Sequence, residues 1–206
     1  MTIRKIGAWN VARKILRSSR RQFNSAVNKT LMQEGLFYKK EIVQGIRKQA
    51  PAGKAFSKLA PLTRRQRKVT GFGGRKALIR SGDLIRSVTV IKRSRGVFVG
   101  VPRGAKGKDG RSMVDIAKLQ EEGSRPIVIK VTPKMRRFLF GVLFRGRRGG
   151  KSRTGGGFAG GGSVIVIRIP ARPFLRPVFD KFSKPSVAVP RVTKRMAKNL
   201  QFKFGR

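Results

Sequence analysis

The side chains of this sequence that can do chemistry are overwhelmingly cationic, and they come in runs. Arg64, Arg65, Arg67 and Lys68 form one, Arg103, Lys106, Lys108 and Arg111 a second, and Arg145, Arg147, Arg148, Lys151 and Arg153 a third. Each run can neutralise several phosphates of a nucleic-acid backbone, or the carboxylates of an acidic partner. Acids are scarce: 8 Asp and Glu stand against 51 Lys and Arg in 206 residues, a formal charge of +43. A charge of that size strains a compact monomer by self-repulsion, so the chain belongs against a polyanion or in an assembly that offsets it. Asp115, Glu121 and Glu122 cluster, but on one helix their angles scatter, and ion pairing is the expected role of both glutamates. Nuclease chemistry needs two or three carboxylates converging on magnesium. With no His and no Cys, there is also no imidazole base, thiolate nucleophile, nitrogen-sulfur zinc site or disulfide.

Other motifs fall short of a site. Gly146 to Ser152 (GRRGGKS) lacks the glycine that a phosphate loop needs five positions before its Gly-Lys-Ser, where this chain has Arg145. Gly71-Phe72-Gly73 resembles part of an RNA-recognition signature but lacks the aromatic strand that stacks bases. Phe158, alone in a Gly/Arg stretch, is the better stacking candidate. A helix-turn-helix wants two short helices and a tight turn, which the pattern does not supply. Contacts to nucleic acid are therefore expected to be with its backbone, and no catalytic, cofactor or metal residue is expected.

The elements that must position these cations are legible from periodicity. Phe23, Val27, Leu31, Tyr38, Ile42 and Ile46 recur mostly at four-residue steps, predicting a helix over Gln22–Gln49 that ends at Ala50-Pro51. Gly35 and Gly45 weaken it, each costing up to about 1 kcal/mol relative to Ala. Thr63 is a candidate cap for a short helix over Arg64–Lys68. Leu84–Ile91 and Val97–Val101 read as the strands of a hairpin, and Pro102–Ser112 as a loop. Met113–Glu122 reads as a helix stopped by Gly123. Ile127–Val131 and Val164–Ile169 are strands that can pair, making the Gly/Arg-rich 145–162 segment a flexible excursion between them. Pro133 opens a helix continued by Met135, Phe138, Leu139 and Val142, and Val192, Met196 and Leu200 mark a last one.

The predicted class is α+β: a small, mostly antiparallel sheet packed by a long N-terminal helix and shorter helices, with basic loop insertions. The domain is expected over 22–182, flanked by basic extensions at 1–21 and 183–206. The N-terminal stretch has transit-peptide character, but the C-terminal one is equally basic and acid-free, so the bias belongs to the whole chain. No apolar run approaches the roughly 18 residues of a membrane-spanning helix.

Segments in order along the chain carry a resemblance. Phe56–Thr63 (FSKLAPLT), Leu78–Val88 (LIRSGDLIRSV), Ala117–Gly123 (AKLQEEG) followed by Val131–Met135, and Ile169–Pro177 (IPARPFLRP) resemble the tailed-phage virion morphogenesis proteins. That family includes the tail-completion and head-tail joining proteins of Mu-like, P2-like and lambdoid phages. The resemblance spans Gln22 to Asp180. It departs at the helix end, where Leu119-Gln120-Glu121-Glu122 replaces the family's aromatic and His. It implies a non-enzymatic structural protein of the virion neck, assembled as a homo-oligomeric ring of about six copies. The implied partners are other copies of the chain, neighbouring connector and tail-tube or terminator proteins, and genomic DNA passing through the channel, with no membrane.

The motif residues also have a physical reading of their own. Gly82 supplies the backbone freedom of a tight turn into a strand, beside Ser81, and Leu84 buries at its start. Pro173 fixes a bend, Phe174 and Leu175 anchor the tail on the sheet, and Arg172 pairs with an acid or a carbonyl. A second reading, from another class, is a non-specific RNA- or DNA-binding protein such as a ribosome-associated factor.

Overall fold

The computed structural model describes residues 9–72, 74–94, 96–137 and 164–200. Helix α1 spans Trp9–Lys48, so it begins thirteen residues before the expected Gln22 and runs through the 21/22 boundary. It stops where expected. Gln49 turns to a φ of 60° and Pro51–Gly53 form a 3-10 turn.

The buried seam of α1 differs from the expected stripe. Ile42 and Ile46 are fully buried, but Phe23 and Leu31 are exposed, and Ala26, Thr30 and Glu34 are buried in their place. Successive four-residue steps advance about 40° round a helix, so the seam winds across α1. It meets an aliphatic core at one end and a polar helix contact at the other. The two glycines are explained by close approach. A Cβ on Gly35 would lie 2.6 Å from Val90 Cγ1 and 2.7 Å from Val97 Cγ1, and one on Gly45 would lie 2.7 Å from Pro51 Cα.

Helix α2 follows at Pro61–Val69. Pro61 occupies its first turn and no side chain caps it, so Thr63 lies inside the helix rather than at its cap. Residues 84–87 depart from the predicted Leu84–Ile91 strand: Asp83–Ser87 is helix α3, entered through Gly82 at φ 80°. The acid in its first turn and the Arg86 Nη2 bond to Asp83 favour one helical turn over the β-branched pattern of the segment. The hairpin is correspondingly shorter, β1 Thr89–Arg93 pairing antiparallel with β2 Gly96–Gly100.

Helix α4, Met113–Glu122, has the predicted limits, with Ser112 Oγ accepting from the Asp115 amide and Gly123 ending it at φ 82°. Strand β3, Ile127–Lys130, pairs antiparallel with β4, Val164–Ile167, as expected. The two pairs form separate two-stranded sheets rather than one. Residues 133–137 are helical, and the rest of that expected helix lies outside the described residues, as do the 145–162 segment and its Phe158. Helices α5, Arg176–Phe182, and α6, Pro185–Asn199, are the last elements among the described residues. The α+β class therefore holds.

Ile42 and Ile46 of α1, Leu84 and Val88 around α3, Ala117 of α4, and Phe174 and Val178 of the 174–182 segment make one core. Phe174 thus anchors among helices more than on a sheet. The 183–199 stretch, expected as an extension, packs back on α1. Glu34 accepts from Arg191 Nε at 3.0 Å and also pairs with Arg195 Nη1. Asn199 Nδ2 donates to Thr30 Oγ1 at 2.9 Å. Arg191 lies 4.3 Å from the Phe37 ring centroid.

Candidate polyanion interface and motif cluster

The segments that carry the resemblance meet in space. Glu121, at the end of α4, receives the amides of Phe174 (2.9 Å), Leu175 (3.2 Å) and Arg176 (2.8 Å) on its two carboxylate oxygens. Ion pairing was the expected role of this side chain; instead it caps the start of α5, where amides have no helical acceptor. Arg172 is buried and donates through Nε to the Ser57 carbonyl (3.1 Å) and through Nη2 to that of Lys58 (3.4 Å). That is the carbonyl pairing expected of it.

Backbone bonds close the junction. The Arg172 amide donates to the Gln120 carbonyl (2.6 Å) and the Ser124 amide to that of Ile169 (3.0 Å). Gly123 sits against this segment so closely that a Cβ would lie 3.0 Å from Ala171 N and from the Ile169 carbonyl oxygen.

Ser81, Gly82 and Asp83 form the third side. Asp83 accepts from Ser81 Oγ (2.6 Å), Arg86 Nη2 (2.5 Å) and, weakly, the Lys108 amide (3.5 Å). The Ser81 hydrogen bond, then the Arg86 one, holds its carboxyl below the usual carboxylate range. Around these residues opens a groove of about 1340 Å³. Leu59, Leu62, Ser81, Gly82, Leu84, Leu119, Gly123, Ile169 and Arg172 all line it, so the resembling segments share one surface. Ile165 and Ile167 of the second sheet form part of its wall.

That sheet is unusual in its exposure. Val128 and Val166, paired across the ladder, are 64% and 60% exposed, and Ile127, Val164 and Ile167 are exposed as well. Lys130 is the only charge in its eight residues.

The described basic runs differ in their surroundings. Arg64, Arg65, Arg67 and Lys68 of α2, with Arg75 from the following loop, line an open cradle of about 560 Å³. Arg67 is turned inward, donating to the Lys76 carbonyl at 2.8 Å and the Ile79 carbonyl at 3.3 Å. Burial, with the charges of Arg80 and Arg172 behind it, lowers its pKa. Arg103, Lys106, Lys108 and Arg111 belong to a loop folded on itself, with a Lys106–Ser112 bridge and an Arg111–Asp109 ion pair at 3.4 Å. The third run, Arg145, Arg147, Arg148, Lys151 and Arg153, lies outside the described residues.

Among the described residues no group of three His, Cys, Asp or Glu is placed to hold a metal ion, and no helix is long and apolar enough to cross a membrane. Comparison with protein-family models, with curated proteins and with solved structures finds no match.

Proposed function

We propose that this chain is a structural subunit of a tailed-phage neck, a tail-completion or head-tail connector protein that assembles as a ring and meets DNA or acidic neighbours through its basic surfaces. The observation that carries this reading is the convergence of the resembling segments. Stretches more than 100 residues apart interlock through Arg172 and the Ser57 and Lys58 carbonyls, and others through Glu121 and the 174–176 amides. Chance matches scattered over a chain have no reason to share one junction.

The exposed ribbon of β3 and β4 supports assembly. A two-stranded sheet is marginal by itself, and an apolar patch rimmed by cations marks a surface that another protein covers. With one charge in eight paired residues, it is also where chains of like charge can approach most cheaply. Size-exclusion chromatography with multi-angle light scattering on the purified protein tests assembly: a closed oligomer supports the reading, and a strict monomer at micromolar concentration contradicts it. Val128→Lys together with Val166→Lys is expected to shift the population to monomer while leaving the helical circular dichroism unchanged.

A further inference from the structure

We infer that the cradle between α2 and Gly71, Gly74 and Arg75 is a binding site for the phosphate backbone of nucleic acid, and that the 102–112 loop is not. The inference deepens the polyanion contact of the proposed function and rests on that part of it alone, being equally compatible with free nucleic-acid binding.

Helix α2 contributes no buried residue to the core. A nine-residue helix of this kind is not held by packing, and isolated helices of that length are marginal in water. Arg67 ties it to the body of the protein through an inward side chain on the Lys76 and Ile79 carbonyls. The segment carrying those carbonyls is fixed in turn. Gln49 exchanges two hydrogen bonds with the backbone of Ala77, and Lys76 Nζ donates to the Arg47 carbonyl at 3.0 Å. The sequence thus spends one cation on anchoring α2 and leaves Arg64, Lys68 and Arg75 exposed around an open trough.

Among the described residues no Asp or Glu is ion-paired with Arg64, Lys68 or Arg75. Among the described residues Glu34 is held by Arg191 and Arg195, Asp83 by Arg86, Asp109 by Arg111, and Glu121 by backbone amides. Neither α2 nor the 71–75 loop contains an acid. In the 102–112 loop, by contrast, Asp109 pairs within the loop and Asp83 receives the Lys108 amide. Arg64 and Lys68 stand one turn apart, about 5–6 Å between their Cβ atoms, and Arg75 comes from a separate segment. Cations spread along a trough suit a row of phosphates, whereas one small anion would require donors that converge. The exposed Phe72, stacked with Arg80 at 4.5 Å in the same region, adds an aromatic surface of the kind that accompanies nucleic-acid grooves.

The test is fluorescence anisotropy of the full chain with a labelled 30-base-pair DNA duplex of arbitrary sequence across a potassium chloride series. Two triple variants remove equal charge: Arg64→Gln, Lys68→Gln and Arg75→Gln in one, Arg103→Gln, Lys106→Gln and Arg111→Gln in the other. If the cradle contacts three phosphates, the slope of log K against log salt falls by about 2 to 3 in the first variant and by less than half that in the second. Equal changes in both, or no slope change in the first, overturn the inference. Stronger competition by poly-aspartate than by unlabelled duplex at equal charge, abolished by the first variant, assigns the cradle to an acidic protein and also overturns it. Circular dichroism confirms folding of both, and neither outcome bears on ring formation, which multi-angle light scattering reads separately.

Discussion

Glu121 offers the sharpest energetic prediction, because one side chain from α4 satisfies successive amides more than fifty residues away. Replacing it with Ala leaves the Phe174 and Leu175 amides, both part-buried, without an acceptor, while the exposed Arg176 amide can turn to water. Hydrogen bonds to a charged group contribute about 1.5–3 kcal/mol each, and an orphaned buried donor costs about 1–3 kcal/mol. With two amides affected, Glu121→Ala is expected to destabilise by about 3–4 kcal/mol. Glu121→Gln keeps one carbonyl oxygen but loses the charge at the start of α5, an expected loss of about 1–2 kcal/mol. Glu122→Ala, on the adjacent exposed residue, serves as the control and is expected to change stability by less than about 0.5 kcal/mol. Urea denaturation followed by far-ultraviolet circular dichroism gives all three. If Glu121→Ala unfolds at the same midpoint as Glu122→Ala, the junction between α4 and the 169–176 segment does not hold the fold together and the reasoning fails.

Other expectations follow from the same contacts. Phe174→Ala, at a fully buried core position, should cost about 3–5 kcal/mol in the same denaturation experiment. Gly35→Ala should destabilise by about 1–3 kcal/mol despite Ala's better helix propensity, because the stiff side chains of Val90 and Val97 occupy the space; a gain in melting temperature would contradict that packing. Glu34→Gln removes the charge and one of the two acceptor oxygens that hold Arg191 and Arg195, and hydrogen exchange should quicken across α6 while α4 keeps its protection. The folded pKa of Asp83 is depressed, so the unfolded chain binds the proton more readily. The stabilisation is present above the ordinary carboxylate pKa and is lost as pH falls through the lower folded value. Asp83→Asn should therefore flatten the acid limb of a stability-pH profile, and an unchanged limb would refute the assignment.

Local signals carried much of the fold. The stop of α1 at Ala50-Pro51, the limits of α4 between Ser112 and Gly123, and the pairing of Ile127–Lys130 with Val164–Ile167 were legible because caps, glycines and β-branched runs act over a few residues. The Leu84–Ser87 segment reads as strand only by continuity with the β-branched Val88–Ile91 run, whereas the Ser81–Asp83–Arg86 bonds that close a helical turn depend on Gly82 taking φ 80°. The exposed Phe23 and Leu31 show the limit of periodicity: the winding seam of α1 is set by α6, which returns from 150 residues away. Glu121 as a cap for α5 was invisible for the same reason. Composition makes every glutamate in so basic a chain look like an ion-pair partner, and only tertiary structure places it over free amides. For the basic runs, the sequence shows Asp109 inside 102–112 and no acid in α2, but the approach of Asp83 to the Lys108 amide and the inward turn of Arg67 depend on tertiary structure.

The central proposal, a ring subunit of a virion neck, is tested most directly by quantitative mass spectrometry of tailed particles purified from the source of this sequence, with cryo-electron microscopy of their necks. The account predicts this chain in every particle at a ring-like copy number, about six, with density at the head-tail junction that fits α1 and the β3–β4 ribbon between adjacent copies. Intact, infectious particles that lack the chain would contradict it.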